Sequence, residues 1–314
     1  MIDFPRMIVA GHLVADEIMY AGGSRVSALG GISYNLMALL SIMKTGKIMP
    51  VCEIGLDKED LFEEYFGKHD IVDSSAVRKT PLPNVVNRLV YSSDGNREEW
   101  NSRIPGRLSL EIISSDVDAA LMNFISGDDM SVEELTEFRK RFEGIIFCDY
   151  HSLALGRDSE GKRYYRKHPD WDKYLSQADI VQMNIAELAT ISGVKGLSFG
   201  NIIAVCGMIH NLHPDICIIT LGRNGLVLSI EKGNQVYHIP PVTVHNDIDP
   251  TGCGDTLAAV FLYNYLLSCD PLQSAMSANR YAAAKVTFGG LGGFKGMNTI
   301  LESIGRGAEP VKIK

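Results

Sequence analysis

Apolar runs of strand length alternate along the chain with stretches of helical length. Residues 119–126, 144–149 and 179–183 carry apolar side chains at nearly consecutive positions, without the two-residue alternation of a half-exposed strand. Strands of this kind are buried on both faces, as in parallel sheets that helices cover on each side. The pattern therefore predicts an α/β fold with an open, mostly parallel β-sheet flanked by helices.

The first third of the chain adds two kinds of element to this pattern. Strands are predicted at residues 7–14 and 47–55, and between them a helix that opens on the glycine pair Gly30-Gly31. Residues 85–92 and 98–104 predict a hairpin, because the Asp94-Gly95 dipeptide between them is favoured in tight hairpin turns. This hairpin interrupts the alternation and is expected to lie outside the main sheet.

Composition limits the class of protein. A chain of 314 residues with 46% hydrophobic content can bury one large core, so residues 1–314 are expected to form a single domain. The net charge of −8 and the lack of a Lys/Arg block argue against nucleic acid as a partner. The acidic, short N-terminal stretch does not resemble a signal peptide, and no apolar run reaches the roughly 18–20 residues that span a bilayer. Six scattered cysteines indicate reduced thiols, and therefore a cytoplasmic protein.

A glycine turn ahead of a predicted helix is the strongest chemical signal. Gly252 and Gly254 permit the backbone to turn its N–H groups into one concavity, and the apolar run at residues 257–267 continues as a helix. The free N–H groups and the dipole of a helix N-terminus bind anions, most often phosphate. Asp255 would repel a phosphate, so we expect it to act as a general base on an attacking hydroxyl. The alternative is an ordinary helix start with Asp255 as a partner of the dipole.

Three other segments carry candidate ligands. Gly30-Gly31 permits a ligand to approach the backbone, and Asn35 follows about one helical turn later; the alternative is an N-cap turn followed by a solvated asparagine. Asn184 and Glu187 follow a predicted strand and could hold the water shell of Mg²⁺; the alternative is a capped helix start. The glycine-rich residues 289–296 could bind a monovalent cation through their carbonyls, or form a simple turn.

These segments resemble one known family. Asp249-Pro-Thr-Gly-Cys-Gly-Asp255 resembles the D-x-T-G-A-G-D signature of the ribokinase-like (PfkB) family of carbohydrate and nucleoside kinases, with Cys253 in place of the usual alanine. The family's G-G-x-x-x-N, N-x-x-E and T-x-G-x-x-G motifs match residues 30–35, 184–187 and 220–225, in the same order. Motifs of other enzyme classes are absent from the sequence, among them the P-loop, G-x-G-x-x-G after a strand, H-E-x-x-H and G-x-S-x-G.

The resemblance implies a role for each matched position. Catalysis would fall to Asp255 and to the backbone N–H groups of Gly252, Cys253 and Gly254. Substrate hydroxyls would be bound by four residues: Asp16, Gly30, Gly31 and Asn35. The nucleotide would be bound by five residues: Asn184, Thr220, Gly222, Gly225 and Asn279. ATP and Mg²⁺, the latter held through water by Asn184 and Glu187, are the expected cofactors, with K⁺ as a further candidate.

The resemblance also implies a small β-lid over the substrate, formed by residues 12–28 and 84–105. Only residues 17–29 separate Asp16 from Gly30, which is short for a full lid, so a reduced lid and a monomer or homodimer are expected. The predicted activity is transfer of phosphate from ATP to a hydroxyl of a small sugar or polyol. Two alternatives remain, a nucleoside kinase of the same fold and a non-catalytic module that senses a sugar or nucleotide.

Overall fold

The structure is a computed structural model that describes residues 2–93, 97–113, 116–194 and 198–314. Its strands are β1 (Arg6–Ala10), β2 (Leu13–Met19), β3 (Arg25–Gly31), β4 (Lys47–Gly55), β5 (Val77–Thr80), β6 (Val86–Tyr91), β7 (Arg97–Asn101), β8 (Ala119–Asn123), β9 (Ile145–Asp149), β10 (Leu155–Arg157), β11 (Arg163–Tyr165), β12 (Ile180–Asn184), β13 (Ile216–Thr220), β14 (Leu226–Ile230), β15 (Gln235–Ile239) and β16 (Val311–Lys312). Its helices are α1 (Ser33–Ile42), α2 (Glu59–Phe62), α3 (Val132–Arg141), α4 (Trp171–Leu175), α5 (Ile185–Ser192), α6 (Phe199–His210), α7 (Cys253–Ser268), α8 (Pro271–Lys285) and α9 (Met297–Ser303).

The main sheet has the strand order β16-β15-β14-β13-β12-β9-β8-β1-β4-β5. The strands from β13 to β5 in this order pair in parallel, whereas β14, β15 and β16 add an antiparallel edge. The predicted open, mostly parallel sheet is thereby confirmed. None of the helices in the described ranges combines the length and the apolar character needed to cross a membrane.

Helices cover both faces of this sheet. Along β1, Met7 and Val9 point into one hydrophobic core, while Ile8 and Ala10 point into the other. The first core is closed by α1, α7 and α8, and the second by α3, α5 and α6. A strand that is dry on both sides needs apolar residues at consecutive positions, which explains the runs in the sequence.

A separate four-stranded sheet of order β3-β2-β6-β7 forms the small β-lid. Its strands lie within or next to residues 12–28 and 84–105, and β2 pairs in parallel with β6 while both outer pairs are antiparallel. The prediction of one strand over residues 7–14 is wrong, because β1 ends at Ala10 and Leu13 begins a strand of the lid. The predicted Asp94-Gly95 turn lies outside the described residues.

The parallel strands end side by side at one edge of the main sheet. Asn123 at the end of β8 is in register with Asp149 at the end of β9, and Asn184 of β12 is in register with Thr220 of β13. Ligands of open α/β sheets collect at the carboxyl ends of the strands. Polar side chains at these ends therefore mark the region in which to look for a site.

Candidate active site

Helix α7 begins next to these strand ends, and its first turn depends on a glycine. Gly252 is the N-cap residue and has a left-handed backbone, with φ +81° and ψ 1°. A Cβ atom at this position would overlap the ring of Tyr34, which is buried against the turn. Both the backbone angles and the close approach therefore require glycine here.

The backbone N–H groups of this turn differ in their availability. The Cys253 N–H donates to the carbonyl of Pro250 at 3.2 Å, so it closes the turn. Within the described part of the chain, the N–H groups of Gly252, Gly254 and Asp255 have no acceptor. The structure thus differs from the expectation that Cys253 would contribute its N–H to an anion, and it adds that of Asp255. We refer to the N–H groups of residues 252, 254 and 255 as the anion cradle.

Two asparagines hold Asp255 in place. The Nδ2 group of Asn123 donates to Oδ1 of Asp255 at 2.7 Å and lies 2.9 Å from Oδ1 of Asn35. The Nδ2 group of Asn35 donates to the backbone carbonyl of Asp255 at 2.9 Å. Asn35 is fully buried, so the alternative of a solvated helix residue is wrong. The side-chain amide of Asn35 thus fixes the start of α7, whereas the prediction was that it binds substrate hydroxyls.

Asp16 faces the same region from strand β2. Its carboxyl is buried, and a Cβ atom on Gly30 would collide with it, so the predicted glycine makes room for this side chain. Burial raises the pKa of Asp16 well above its usual value, and the nearby charges of Glu99 and Asp255 raise it further. Gly31 has φ +61° and passes close to the carbonyl of His12, where a side chain would not fit. We refer to the three residues Asp16, Gly31 and Asp255 as the acceptor region.

Strand β7 contributes a charged pair that the sequence analysis did not identify. Arg97 donates to Glu99 at 3.3 Å. Burial raises the pKa of both Asp16 and Glu187, and the positive charge of Arg97 opposes this rise in each of them. The one signal in the sequence is the spacing of two residues, which puts Arg97 and Glu99 on the same face of a short strand. Such a pair is expected where that face of the lid is turned towards the site.

Asn184 and Glu187 form a capping box at the start of α5. The Asn184 side chain accepts from the N–H groups of Ala186 and Glu187, each at 2.9 Å, and both carboxylate oxygens of Glu187 accept from Asn184. The alternative of a capped helix start therefore describes these side chains correctly. Burial raises the pKa of Glu187 to about 8. Both residues offer the oxygen atoms that Mg²⁺ prefers, and their magnesium role stays a prediction.

A cavity of about 720 Å³ opens beside the anion cradle. It lies between the lid, the β13–β14 turn and α8, and the stacked rings of Tyr20 and Tyr91, 5.9 Å apart, form one wall. Further lining residues are Gly222, Arg223, Val242, Ile248, Cys253 and Asn279. Tyr20, Tyr91 and Arg223, which is paired with Asp247 at 2.6 Å, were not identified from the sequence.

The predicted nucleotide residues are distributed unevenly around this cavity. Gly222 and Asn279 line it, and Asn279 donates to the carbonyl of Pro240 at 2.8 Å. Thr220, at the end of β13, and Asn184 are not among its lining residues. Gly225 has φ +82° and a Cβ there would collide with the carbonyl of Ile239, so the turn itself requires glycine at this position.

The loop that was expected to hold a monovalent cation begins beside a buried lysine. The Lys285 ammonium donates to the carbonyl of Phe288 at 3.0 Å, one residue before this loop. Among the described residues, no cluster of three or more His, Cys, Asp or Glu side chains has the arrangement of a metal site. The carbonyl oxygen of Phe288, directly before the loop, is thus already in contact with a positive charge of the chain itself.

Known proteins resemble the chain at two levels. Residues 157–294 match the family described as pfkB family carbohydrate kinase, which is somewhat less than half of the chain. A cytidine kinase of Thermococcus kodakarensis is 21% identical over 262 residues, which cover 82% of this chain and 88% of that protein. The region that matches the family, residues 157–294, includes the β13–β14 turn, the anion cradle and α8.

Solved structures extend the likeness over nearly the whole chain. A pyrophosphate-dependent kinase in the ribokinase family, complexed with a pyrophosphate analogue and myo-inositol, has a TM-score of 0.76 at 18% identity and covers 95% of this chain and 100% of that chain. Ribokinase of Arabidopsis thaliana, complexed with ribose and ATP, has a TM-score of 0.74 at 19% identity and covers 95% of this chain and 99% of that chain. At such identities these likenesses establish the fold. Together with the family match over residues 157–294 and the four ordered motifs, they indicate a ribokinase-like fold and a chain similar to the kinases of the PfkB family.

Proposed function

We propose that the protein transfers the terminal phosphoryl group of ATP to a hydroxyl of a small sugar or polyol, with Asp255 as the general base. The observation that carries this proposal is the position of Asp255. Its carboxylate is held by Asn123 at the first turn of α7, beside the buried Asp16 and next to the free N–H groups of the anion cradle. A base, a site for an alcohol and a site for a phosphoryl group are thereby brought together.

The acceptor region suits an alcohol with more than one hydroxyl. Asp16 can accept a hydrogen bond from a hydroxyl, and the backbone at Gly30 and Gly31 permits a close approach because neither residue carries a Cβ. A neutral polyol would compensate part of the cost of burying the Asp16 carboxyl. We assign Asn35 to the support of Asp255, because its amide contacts the backbone of that residue.

The chemical step balances with one proton transfer. The acceptor oxygen attacks the γ-phosphorus of ATP and gives its proton to the Asp255 carboxylate. A new O–P bond forms while the bond from the γ-phosphorus to the bridging oxygen breaks, and ADP leaves with that electron pair. Asp255 then releases the proton to solvent. Most of the rate enhancement would come from positioning and from stabilisation of charge, as in other phosphoryl transfers.

The anion cradle supplies the electrostatic part of this mechanism. The N–H groups of Gly252, Gly254 and Asp255 lie at the positive end of the α7 dipole and have no acceptor among the described residues. Donors that are fixed before the reaction stabilise developing negative charge without reorganisation. The cradle is thus the proposed binding site of the transferred phosphoryl group.

The large cavity is the proposed binding site of the nucleotide. Its tyrosine wall and the side chains of Val242 and Ile248 provide apolar surface for a purine, and Asn279 provides a polar group. Gly222, and Thr220 at the end of β13, are the proposed contacts of the sugar and phosphates. When bound, Mg²⁺ would neutralise the charge of the phosphates, and Asn184 and Glu187 would hold it through water.

A nucleoside kinase of the same fold is the second candidate. The observation in its favour is the likeness to the Thermococcus cytidine kinase over most of both chains. A nucleoside needs an apolar or aromatic slot for its base in addition to contacts for its ribose. The two candidates share Asp255 and the cradle, so only the choice of acceptor separates them.

A panel of acceptors in a coupled assay of ADP release tests the proposal. Ribose, fructose, inositols and nucleosides are supplied with Mg²⁺ and ATP, and the phosphorylated product is identified by mass spectrometry. We expect ADP release that depends on one class of neutral polyhydroxy acceptor. Release only with nucleosides would establish the second candidate. Saturable binding of ATP without ADP release for any acceptor would contradict both and favour a sensing module.

A further inference from the structure

A second cavity, of about 380 Å³, lies beside the β10–β11 hairpin. Its other walls are residues 103–105, which follow β7, and residues 126–128, which follow β8. Four arginines and a histidine line it: Arg103, Arg157, Arg163, Arg166 and His168. None of the residues that line the nucleotide cavity is shared with it.

The arginines of this cavity are only partly neutralised by the protein. Arg103 donates to the carbonyl of Pro83 and has the carboxylate of Glu53 at 3.9 Å. Asp128 is the one carboxylate on its wall within the described residues, and it is already paired with Arg107, outside the cavity, at 2.7 Å. The nearest carboxylate to Arg163 is that of Glu99, at 4.0 Å. Arg166 has no side-chain hydrogen bond or ion pair with any described residue. Like charges held this close repel one another, so an anion between them would be stabilising.

The buried N–H donors of these arginines also favour a bound anion. The side chain of Arg163 is 4% exposed, and its Nε atom has no acceptor among the described residues, which is also true of the buried Nε of Arg157. Burial lowers the pKa of Arg163, and the charges of Arg157 and Arg166 contribute to the same shift. A buried guanidinium N–H without a partner destabilises the folded protein, because a charged donor has lost its hydrogen bonds to water and has formed no other hydrogen bond.

We propose that this cavity binds the phosphate group of a small metabolite. A guanidinium presents paired N–H donors that match two oxygens of a phosphate, and several such forks around one space favour a dianion over a single carboxylate. The volume is sufficient for a phosphate with a short organic part, whereas a whole nucleotide has a better site in the larger cavity.

The position of the cavity suggests two sources of this phosphate. Arg163 donates to Oδ1 of Asn101 at 2.9 Å, and Asn101 donates to Oδ1 of Asn87 at 2.6 Å. Asn87 is in register with Asp16, so the cavity adjoins the acceptor region across two strands of the lid. The phosphate therefore belongs either to the acceptor itself, an inference that rests on the proposed function, or to a separate effector.

Phosphate binding is measured first, without turnover. Inorganic phosphate and pyrophosphate are titrated calorimetrically into the full chain, with the anion cradle covered by a saturating non-hydrolysable ATP analogue. We expect binding to the wild type, and at least about ten-fold weaker binding to Arg166→Gln and Arg157→Gln, because each loses a charge-assisted contact. Arg88→Gln, which removes an exposed arginine of the lid, is the matched control and should bind as the wild type does.

Two results would overturn the proposal: no binding to the wild type, or equal binding to the wild type and both cavity variants. Thermal unfolding shows whether the variants are folded, and Arg166→Gln removes no hydrogen bond or ion pair with described residues. If phosphate binds and both cavity variants weaken that binding, although the acceptor panel shows no kinase activity, this site stands and the proposed function falls. The two failures are thus distinguishable.

Sugar phosphates then identify the source. Ribose is compared with ribose 5-phosphate, and fructose with fructose 6-phosphate, in the assay of ADP release. If the phosphate belongs to the acceptor, the phosphorylated sugar is consumed, and Arg166→Gln raises KM for it while KM for the plain sugar is unchanged. If it belongs to an effector, the phosphorylated sugar is not consumed but changes the rate with the plain sugar, and Arg166→Gln abolishes that change.

Lys285 supports a second, independent inference. Its side chain is fully buried at the end of α8, and the ammonium donates to the carbonyl of Phe288 at 3.0 Å and to that of Asp249 at 3.4 Å. The Asp249 carboxylate lies 3.9 Å away, and the rings of Tyr34 and Phe288 face the charge. The ammonium thus joins the turn before the anion cradle to the loop after α8.

We also infer that the Lys285 ammonium takes the place of a bound monovalent cation. Its oxygen neighbours, two carbonyls and a carboxylate, are of the kind that such an ion prefers, and the Phe288 carbonyl directly precedes the loop. A second positive charge a few ångströms away would be repelled. Lys285 is then a positioning residue for the Asp249–Gly252 turn, and activity should not depend on K⁺.

Lysine removal with chemical rescue tests this inference. Wild-type ADP release and the melting temperature are expected to be the same in potassium, sodium and tetramethylammonium salts. Lys285→Met should lower both, and ammonium or K⁺ should restore part of each by entering the vacated space. Lys295→Met, which removes an exposed lysine of the same loop, is the matched control and should behave as the wild type does.

The contrary outcomes are equally specific. Activation of the wild type by K⁺ would overturn the inference, as would a Lys285→Met variant that folds, loses activity and responds to no cation. The melting temperatures can be read even if the acceptor panel fails, so the test does not depend on the proposed function.

Discussion

Replacement of Asp255 by asparagine is expected to lower the turnover number by about 10²–10⁴-fold and to leave nucleotide binding intact. The amide is neutral and cannot take a proton from the acceptor. Its oxygen can still accept from Asn123, which now donates to the Asp255 carboxylate at 2.7 Å, so the first turn of α7 should keep its shape. Single-turnover kinetics and calorimetric titration of ATP measure the two effects separately.

Asp149→Asn is a suitable comparison for this variant. Asp149 is a buried carboxyl nearby, hydrogen-bonded to Gln182 at 3.0 Å. Its pKa is raised well above the usual value, first by burial and then by the charges of Asp255 and Glu187. It therefore tends to keep its proton, and the amide should cost far less activity than at position 255. Equal losses in the two variants, or normal turnover by Asp255→Asn, would show that Asp255 is not the base.

Alanine at position 252 is expected to be strongly destabilising, by about 2–6 kcal/mol. A left-handed backbone at a non-glycine residue costs about 1–3 kcal/mol, and forcing a Cβ into the ring of Tyr34 adds about 1–3 kcal/mol. Urea unfolding of Gly252→Ala measures the loss. The anion cradle should be lost with the turn, so ATP binding should weaken in parallel.

Gly254→Ala provides the matched control for this prediction. The nearest atom to a new Cβ there is Nε2 of Gln182, at an ordinary contact distance of 3.7 Å. Gly254 lies inside α7 with a negative φ, where alanine is favoured over glycine by about 0.5–1 kcal/mol. We expect equal or higher resistance to urea. If the two alanine variants unfold alike, the requirement for glycine at residue 252 has been misjudged.

The fold was predictable because its strands are buried on both faces. Consecutive apolar residues, as in β9 and β12, distinguish such strands from helices and from half-exposed strands. The same property concealed the boundary between β1 and β2. The apolar run continues from Val9 through Leu13 to Ala15, and all three side chains are buried, although they belong to different sheets. Hydrophobic pattern reports burial, and it does not report which sheet a strand joins.

The candidate site was predictable only where its residues lie close together along the chain. The turn from Asp249 to Asp255 carries its glycines and its acid in one segment, so spacing alone indicated an anion site. Asn123 contacts Asn35 and Asp255, which are separated from it by 88 and 132 positions along the chain. Nothing in the sequence around Asn123 distinguishes it from an ordinary strand residue. The arginines of the second cavity are likewise brought together by the hairpin and by loops that follow separate strands.

Lys285 illustrates a different limit. A lysine at the end of an alanine-rich helix reads as a solvated C-terminal charge that suits the helix dipole. Its burial depends on the path of the loop after α8 and on the turn at Asp249, which no local pattern encodes. The glycine-rich loop was recognised, while the ammonium that contacts it was not.

The capping box of α5 has a consequence for the order in which ligands arrive. Each carboxylate oxygen of Glu187 accepts one hydrogen bond from Asn184, and the asparagine oxygen accepts two from the first turn of the helix. A free divalent ion that bound these oxygens directly would compete with the hydrogen bonds of the cap, so its affinity for the empty enzyme should be weak. The metal would instead enter already complexed with the triphosphate, and the rate would follow the concentration of that complex rather than that of either component alone.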